Sequence, residues 1–165
     1  MVTPEPTALV PGSLGDHALC MLQKLGQIAF RLTEEKLSEQ GLRIRHYSVL
    51  QALDDLDGAS QAELSSYLRI DAATMVACID ELEKRTFVTR GRDPKDRRRY
   101  RIELTSQGAD ALVEANSGLE DLQREALGDL SVDNLEALTS ALAALNTSGT
   151  LSATFERTRR VTAAS

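Results

Sequence analysis

Residues 60–82 read Ser-Gln-Ala-Glu-Leu-Ser-Ser-Tyr-Leu-Arg-Ile-Asp-Ala-Ala-Thr-Met-Val-Ala-Cys-Ile-Asp-Glu-Leu, and this stretch decides the fold. Ser60-Gln61-Ala62-Glu63 is a capping box, in which the Ser hydroxyl and the Glu carboxylate each satisfy an orphan backbone donor, together worth ~1 kcal/mol. A short helix therefore starts there and carries Leu64 and Leu68. Asp71 can cap the next helix, whose inward positions at helical spacing are Met75, Cys78, Ile79 and Leu82. Two helices of about eight and fourteen residues, separated by the Arg69-Ile70 turn, have the dimensions of a helix-turn-helix.

On the C-terminal side the period changes to two. Phe87 to Arg90 and Arg99 to Leu104 read as two strands of a hairpin, with Tyr100, Ile102 and Leu104 alternating against Arg99, Arg101 and Glu103. The loop between them, Gly91-Arg92-Asp93-Pro94-Lys95-Asp96-Arg97-Arg98, is too long for a tight turn and too charged to be buried, and is predicted to project as a basic wing. Thr105 to about Leu127 returns to helical spacing through Ala109, Leu112, Leu119, Leu122 and Ala126, and Gly128 breaks it. Ser131 caps a last helix with Leu135, Leu138, Leu142 and Leu145. On the N-terminal side Leu14, Ala18, Leu22, Leu25, Ala29 and Leu32 form one apolar stripe on a long helix that Gly41 can end. Tyr47, Leu50, Leu53 and Leu56 give a second helix, to about Asp57.

The expected fold is mainly α with a small β-hairpin wing, a winged helix-turn-helix core (about 44–104) flanked by N- and C-terminal dimerisation helices (about 14–40 and 105–146). These make a single domain over 14–146, between a flexible leader at 1–13 and a flexible tail at 147–165. The leucine seams at the two ends need a partner surface, which a second copy supplies.

Composition agrees with helices: of 165 residues, 42% are hydrophobic and only 4% aromatic, with no Trp. The net charge of -6 argues by itself against a nucleic-acid partner, but the charge is unevenly placed. Nine of the 19 basic residues lie between Lys84 and Arg101, against two acidic ones; that segment is +7 and the remainder -13. No apolar run approaches the ~20 residues that cross a bilayer. Cys20 and Cys78 have no paired spacing, as in a reducing cytoplasm. No Gly-rich phosphate loop, nucleophile elbow or HExxH helix occurs, so an enzyme is not expected. No cofactor is expected, and no metal: His17 and Cys20 share a helix face, and His46 is the one other histidine.

The order helix, helix, helix-turn-helix, β-wing, long helix, helix resembles the MarR family of bacterial regulators over residues 14–146. The sharpest piece is Asp93-Pro94-Lys95-Asp96-Arg97-Arg98 followed by Leu104-Thr105-Ser106-Gln107-Gly108, similar to the family's wing signature and the start of its long dimer helix. The resemblance implies a homodimeric transcription regulator, a cytoplasmic repressor on double-stranded DNA with a palindromic operator. It implies that Asp96 braces an arginine at the wing base while Arg97 and Arg98 reach a minor groove, with Arg90, Arg92, Lys95 and Arg99 completing the basic set. Recognition-helix positions that often carry polar base-readers in the family are Ala72, Ala73, Val76 and Ala77 here, leaving Thr74 as the main hydroxyl donor. Thr86 replaces a customary glycine. Small apolar side chains can touch thymine methyls but form no bidentate hydrogen bonds, so direct base readout is expected to be modest and shape readout by the wing larger. A winged-helix protein-interaction module without DNA binding is the alternative, although the wing arginines would then have little use.

Two release signals fit the sequence. Cys20 lies off the Leu14 to Leu32 stripe, on a face with Lys24, Gln27 and Arg31, and a lysine at i+4 favours a thiolate. It is similar in place to the reactive cysteine of the OhrR redox-sensing branch, with Tyr47 like one assisting tyrosine and Glu34 near where the other would be. Alternatively, a small organic effector binds around His46 and Tyr47, where members of the resembled family take aromatic acids and phenols. Cys78 reads as a small core residue.

Overall fold

The structure is a computed structural model that describes residues 8–10, 12–92 and 100–162, without the side chains of 159–162. The chain divides into two compact units, residues 1–122 and 123–165.

The first unit holds α1 (Ala18–Ser38), α2 (Ile44–Asp55), α3 (Gln61–Leu68), α4 (Ala72–Lys84), β1 (Val88–Arg92), β2 (Tyr100–Leu104) and most of α5 (Ser106–Ala126). The expected start of the first helix at Leu14 is corrected: Gly12–Asp16 form a short 3-10 turn, and α1 begins at Ala18. Leu14 fits the stripe, but Gly15, Asp16 and His17 follow it, and the His17 side chain caps nothing. At the other end Gly41 (φ +68) turns the chain, and the Leu42 N–H donates back to the Leu37 carbonyl at 3.0 Å.

Leu37, Leu42, Val49, Leu50, Leu53, Leu64, Met75, Ile79, Leu82 and Ile102 are almost fully buried and form one core. Each contributes about 1.5–3 kcal/mol by leaving water. The positions predicted to face inward on α4, namely Met75, Cys78, Ile79 and Leu82, are all in that core. β1 and β2 pair antiparallel from Val88↔Leu104 to Arg92↔Tyr100, so the first strand, expected to end at Arg90, runs two residues further toward the wing. An unexpected third pairing joins Ala59 to Ile102, with Ala59 N–H donating at 3.0 Å and Ile102 N–H at 2.8 Å. It ties the start of the helix-turn-helix to the hairpin.

Polar contacts fix α4 against its neighbours. His46 is buried at the start of α2; its Nδ1 accepts the Arg43 N–H at 3.3 Å, so Nε2 carries the proton and donates to Glu81 on α4 at 2.7 Å. Arg45 also donates to the Glu81 carboxylate, at 3.1 Å. The Ile44 N–H, another free donor at the N-terminus of α2, is taken by Glu34 of α1 at 2.8 Å. Arg85, at the C-terminal end of α4, donates to the carbonyls of Gly41 (2.6 Å) and Gln40 (2.9 Å) and lies 4.5 Å above the Phe87 ring.

The Thr105-to-Gly108 segment begins α5 by a close backbone approach. The Thr105 N–H donates to the Phe87 carbonyl at 3.0 Å, and the Thr105 hydroxyl accepts the Gly108 N–H at 3.0 Å. A Cβ on Gly108 would overlap the Phe87 carbonyl oxygen and lie 2.8 Å from its carbon. Thr86, just before, adopts φ +59 and is held by its hydroxyl donating to Gln107 at 2.6 Å. A β-branched residue in this left-handed region is strained, which explains the glycine customary there.

The second unit holds the end of α5, α6 (Val132–Asn146) and α7 (Gly149–Thr162). Ser131 caps α6, its hydroxyl accepting the Asn134 N–H at 3.3 Å. The expected tail at 147–165 is corrected, because its residues Gly149–Thr162 are helical. The Ser148 hydroxyl accepts the Leu151 N–H at 3.2 Å, and Leu151 and Phe155 stand one turn apart.

Gly108→Ala is expected to lower the unfolding free energy by about 2 kcal/mol or more, since a carbonyl oxygen cannot give way as a side chain can. Thr86→Asn should raise it by about 0.5–1 kcal/mol, as asparagine tolerates the left-handed backbone; a lower denaturation midpoint would show that the hydroxyl contact outweighs the strain. Burial holds His46 below the ordinary imidazole range, against the pull of Glu81. The unfolded chain then binds this proton first, so stability is lost as pH falls from about 6.5 through the lower folded value. His46→Gln should flatten that slope in urea titrations between about pH 7 and 5, and an unchanged slope would contradict it.

Candidate nucleic-acid interface

α3 and α4 form the helix-turn-helix. The Ser60 hydroxyl accepts the Glu63 N–H at 3.3 Å and Glu63 returns by accepting the Ser60 N–H at 2.7 Å, the predicted capping box. Arg69 ends α3 in the left-handed conformation (φ 54), which makes the turn, and Asp71 caps α4 by accepting the Thr74 N–H at 2.9 Å. With Met75, Cys78 and Ile79 inward, helical periodicity turns Ala73 and Ala77 outward and Thr74 and Val76 to the flanks; Ala72 opens the helix, and all five are exposed. The expectation for Thr74 changes here: its hydroxyl donates to Asp71 at 2.7 Å, so outward it offers lone pairs. Those hydrogen bonds hold the Asp71 carboxyl below its usual range.

Arg90, expected to contact DNA, ion-pairs with Asp80 and with Glu83 at 3.0 Å, both on α4. Its charge is spent on fixing the hairpin against the recognition helix. Arg92 stacks 4.3 Å above the Tyr100 ring. Arg101 donates to Glu103 at 3.0 Å and to the Asp57 carbonyl. Lys95, Asp96, Arg97, Arg98 and Arg99 lie outside the described residues. Sequence reading missed the partners of Arg90, for which the only available signal was two acids three apart on the helix flank.

The sensing residues are dispersed. Cys20 is half-buried on α1. Cys78 is buried with its thiol donating to the Arg45 carbonyl at 3.6 Å, and burial pushes it up to about 11. Tyr47 donates to Asn116 of α5 at 2.9 Å, and burial raises its phenol above the ordinary range. The polar atoms of His46 and Tyr47 thus already have partners within the chain. An open cleft of about 860 Å³ lies between the helix-turn-helix and the hairpin, lined by Gln61, Val76, Asp80, Arg90 and Tyr100 among others, and not by Cys20, His46 or Tyr47. Among the described residues no group of three or more His, Cys, Asp or Glu is placed to hold a metal ion, and no helix is long and apolar enough to cross a membrane.

The family model of the MarR family matches residues 42–100, α2 through the hairpin. A Thauera aromatica protein provisionally named a transcriptional regulatory protein for the hcr operon is 32% identical over 104 residues, 62% of this chain and 60% of that protein. The chain therefore aligns with about three-fifths of that relative's length. Among solved structures, the transcriptional repressor CouR bound to a 23-mer DNA duplex is 30% identical, with 85% of this chain and 99% of that chain covered at a TM-score of 0.74. CouR from Rhodococcus jostii RHA1 bound to p-coumaroyl-CoA is 25% identical, with 83% and 96% covered at a TM-score of 0.70. A helix-turn-helix tied to a β-hairpin and followed by a long helix, matched over nearly the whole length of such a structure, identifies the chain as a member of the MarR family of winged-helix transcription regulators.

Proposed function

We propose that the chain is a homodimeric, sequence-specific DNA-binding repressor that acts on a palindromic operator. The observation that carries this reading is the outward face of α4, exposed among the described residues while the opposite side of the helix is buried in the core, in a chain whose hairpin loop carries Lys95, Arg97, Arg98 and Arg99 in sequence. The DNA-bound repressor to which the chain is similar supports it. Two copies would present their recognition helices about one turn of DNA apart, ~34 Å, which makes the site an imperfect palindrome.

Exposed leucines support the dimer. Leu19, Leu22, Leu25 and Leu32 on α1 are between 37% and 72% exposed, and Leu138, Leu142 and Leu145 on α6 between 39% and 44%. A second copy covers them in this proposal. For release, a small organic effector is supported by the ligand-bound neighbour. Modification of Cys20 is the second chemistry, favoured over Cys78 by the burial and raised thiol of the latter.

A mobility-shift assay against the DNA upstream of its own coding region should give a specific complex; no shift of any such DNA would favour the protein-interaction reading. Arg97→Ala or Arg98→Ala should each cost about 1–3 kcal/mol of operator affinity and flatten its salt dependence with dimerisation intact. If both bind like the parent at several salt concentrations, the wing has no part in binding. In iodoacetamide labelling of the native protein, Cys20 should react well before Cys78; equal rates would contradict the assignment.

A further inference from the structure

From Ile70 to Glu83 the recognition helix and its cap contain no Arg, Lys, His, Asn or Gln. The outward face consists of two rows at i, i+4 spacing, Ala72 with Val76 and Ala73 with Ala77, and Val76 is 39% exposed. The polar groups beside them accept rather than donate. The Thr74 hydroxyl donates its hydrogen bond to Asp71, and the two hydrogen bonds from Thr74 hold Asp71 ionised. Further along, Asp80 and Glu81 are occupied by Arg90, Arg45 and His46. The first cation is Lys84, at the C-terminal end, whereas base edges are met by the N-terminal residues of such a helix.

In the major groove guanine shows only acceptors, adenine and cytosine show an amino donor, and thymine alone shows a methyl group. A surface of methyl groups and acceptors has nothing to offer a guanine edge and fits an A·T pair from both sides. We infer that α4 reads its half-site through thymine methyl groups packed on Ala72, Ala73, Val76 and Ala77, with adenine amino groups facing Thr74 and Asp71, and that it selects against guanine. This rests on the DNA-binding reading above and specifies its chemistry: thymine is selected through its methyl group, which no other base shows, and not by bidentate pairing to purines.

The test starts with selection of DNA from a random library by the full-length protein, followed by replacement of thymine with deoxyuracil at individual major-groove positions of the enriched half-site. Uracil keeps every hydrogen-bonding group and removes the methyl. Each replacement under α4 should weaken binding about fourfold, the value of one buried methyl, and guanine should be depleted at those positions. In Val76→Ala the penalty at one position of each half-site should shrink, an effect that altered DNA flexibility would not produce. If the enriched DNA is bound but uracil changes affinity by less than about twofold throughout, or guanine is enriched under α4, the inference fails and the DNA-binding reading stands. If no sequence is enriched over random DNA, both fail.

Discussion

Met75, Cys78, Ile79 and Leu82 leave almost no surface to water, and their burial on one side of α4 dictates the rest of the interface. At 3.6 residues per turn, fixing those four inward turns Ala73 and Ala77 to the opposite face and Val76 to its flank, while Ala72, one turn before Met75, is exposed as the first residue of the helix. The flanks are then set by charge: Glu81 is held by His46 and Arg45 from α2, while Asp80 and Glu83 take Arg90 from β1. The acidic character of this helix, unhelpful toward phosphate, is largely consumed in holding the hairpin and α2 in place.

The α-helical order, the helix-turn-helix and the hairpin could be read from the sequence because each depends on local rules. The Ser60 capping box, the Asp71 cap and the 3.6 and 2 periodicities act within a few residues; both caps appear where the sequence puts them, and the periodic segments do so to within a few residues at their ends. Partners distant in the chain could not be read that way. His46 and Glu81 are 35 positions apart, Tyr47 and Asn116 are 69, and nothing in their local patterns announces the pairing. The same holds for Arg90, whose place in a basic run gives no sign of its ion pairs with Asp80 and Glu83. α7 escaped notice for a different reason: Gly149 and the Ser and Thr around it carry little helical signal, and Leu151 and Phe155 are too few to make a stripe.

The same geometry separates the two cysteines. Cys78 serves the core and the Arg45 carbonyl, in surroundings that disfavour a thiolate, so chemistry there would have to disrupt the packing that orients α4. Cys20 stands on α1, where Leu19, Leu22, Leu25 and Leu32 are exposed among the described residues. In the proposed dimer, a signal that altered how two copies meet along α1 would change the separation of the two recognition helices, and a shift of a few ångströms would break simultaneous contact with both half-sites. Effector and thiol chemistry would then act through the same mechanical variable.

The central claim is that this fold grips DNA as a symmetric pair, helices in successive major grooves and wings beyond them. Hydroxyl-radical footprinting on the DNA upstream of its own coding region tests it most directly. The account predicts two protected blocks related by a two-fold axis and centred about one helical turn, 10–10.5 base pairs, apart, with weaker protection of the flanking minor grooves. A single unsymmetrical block, or protection that spreads evenly along the duplex, would contradict it.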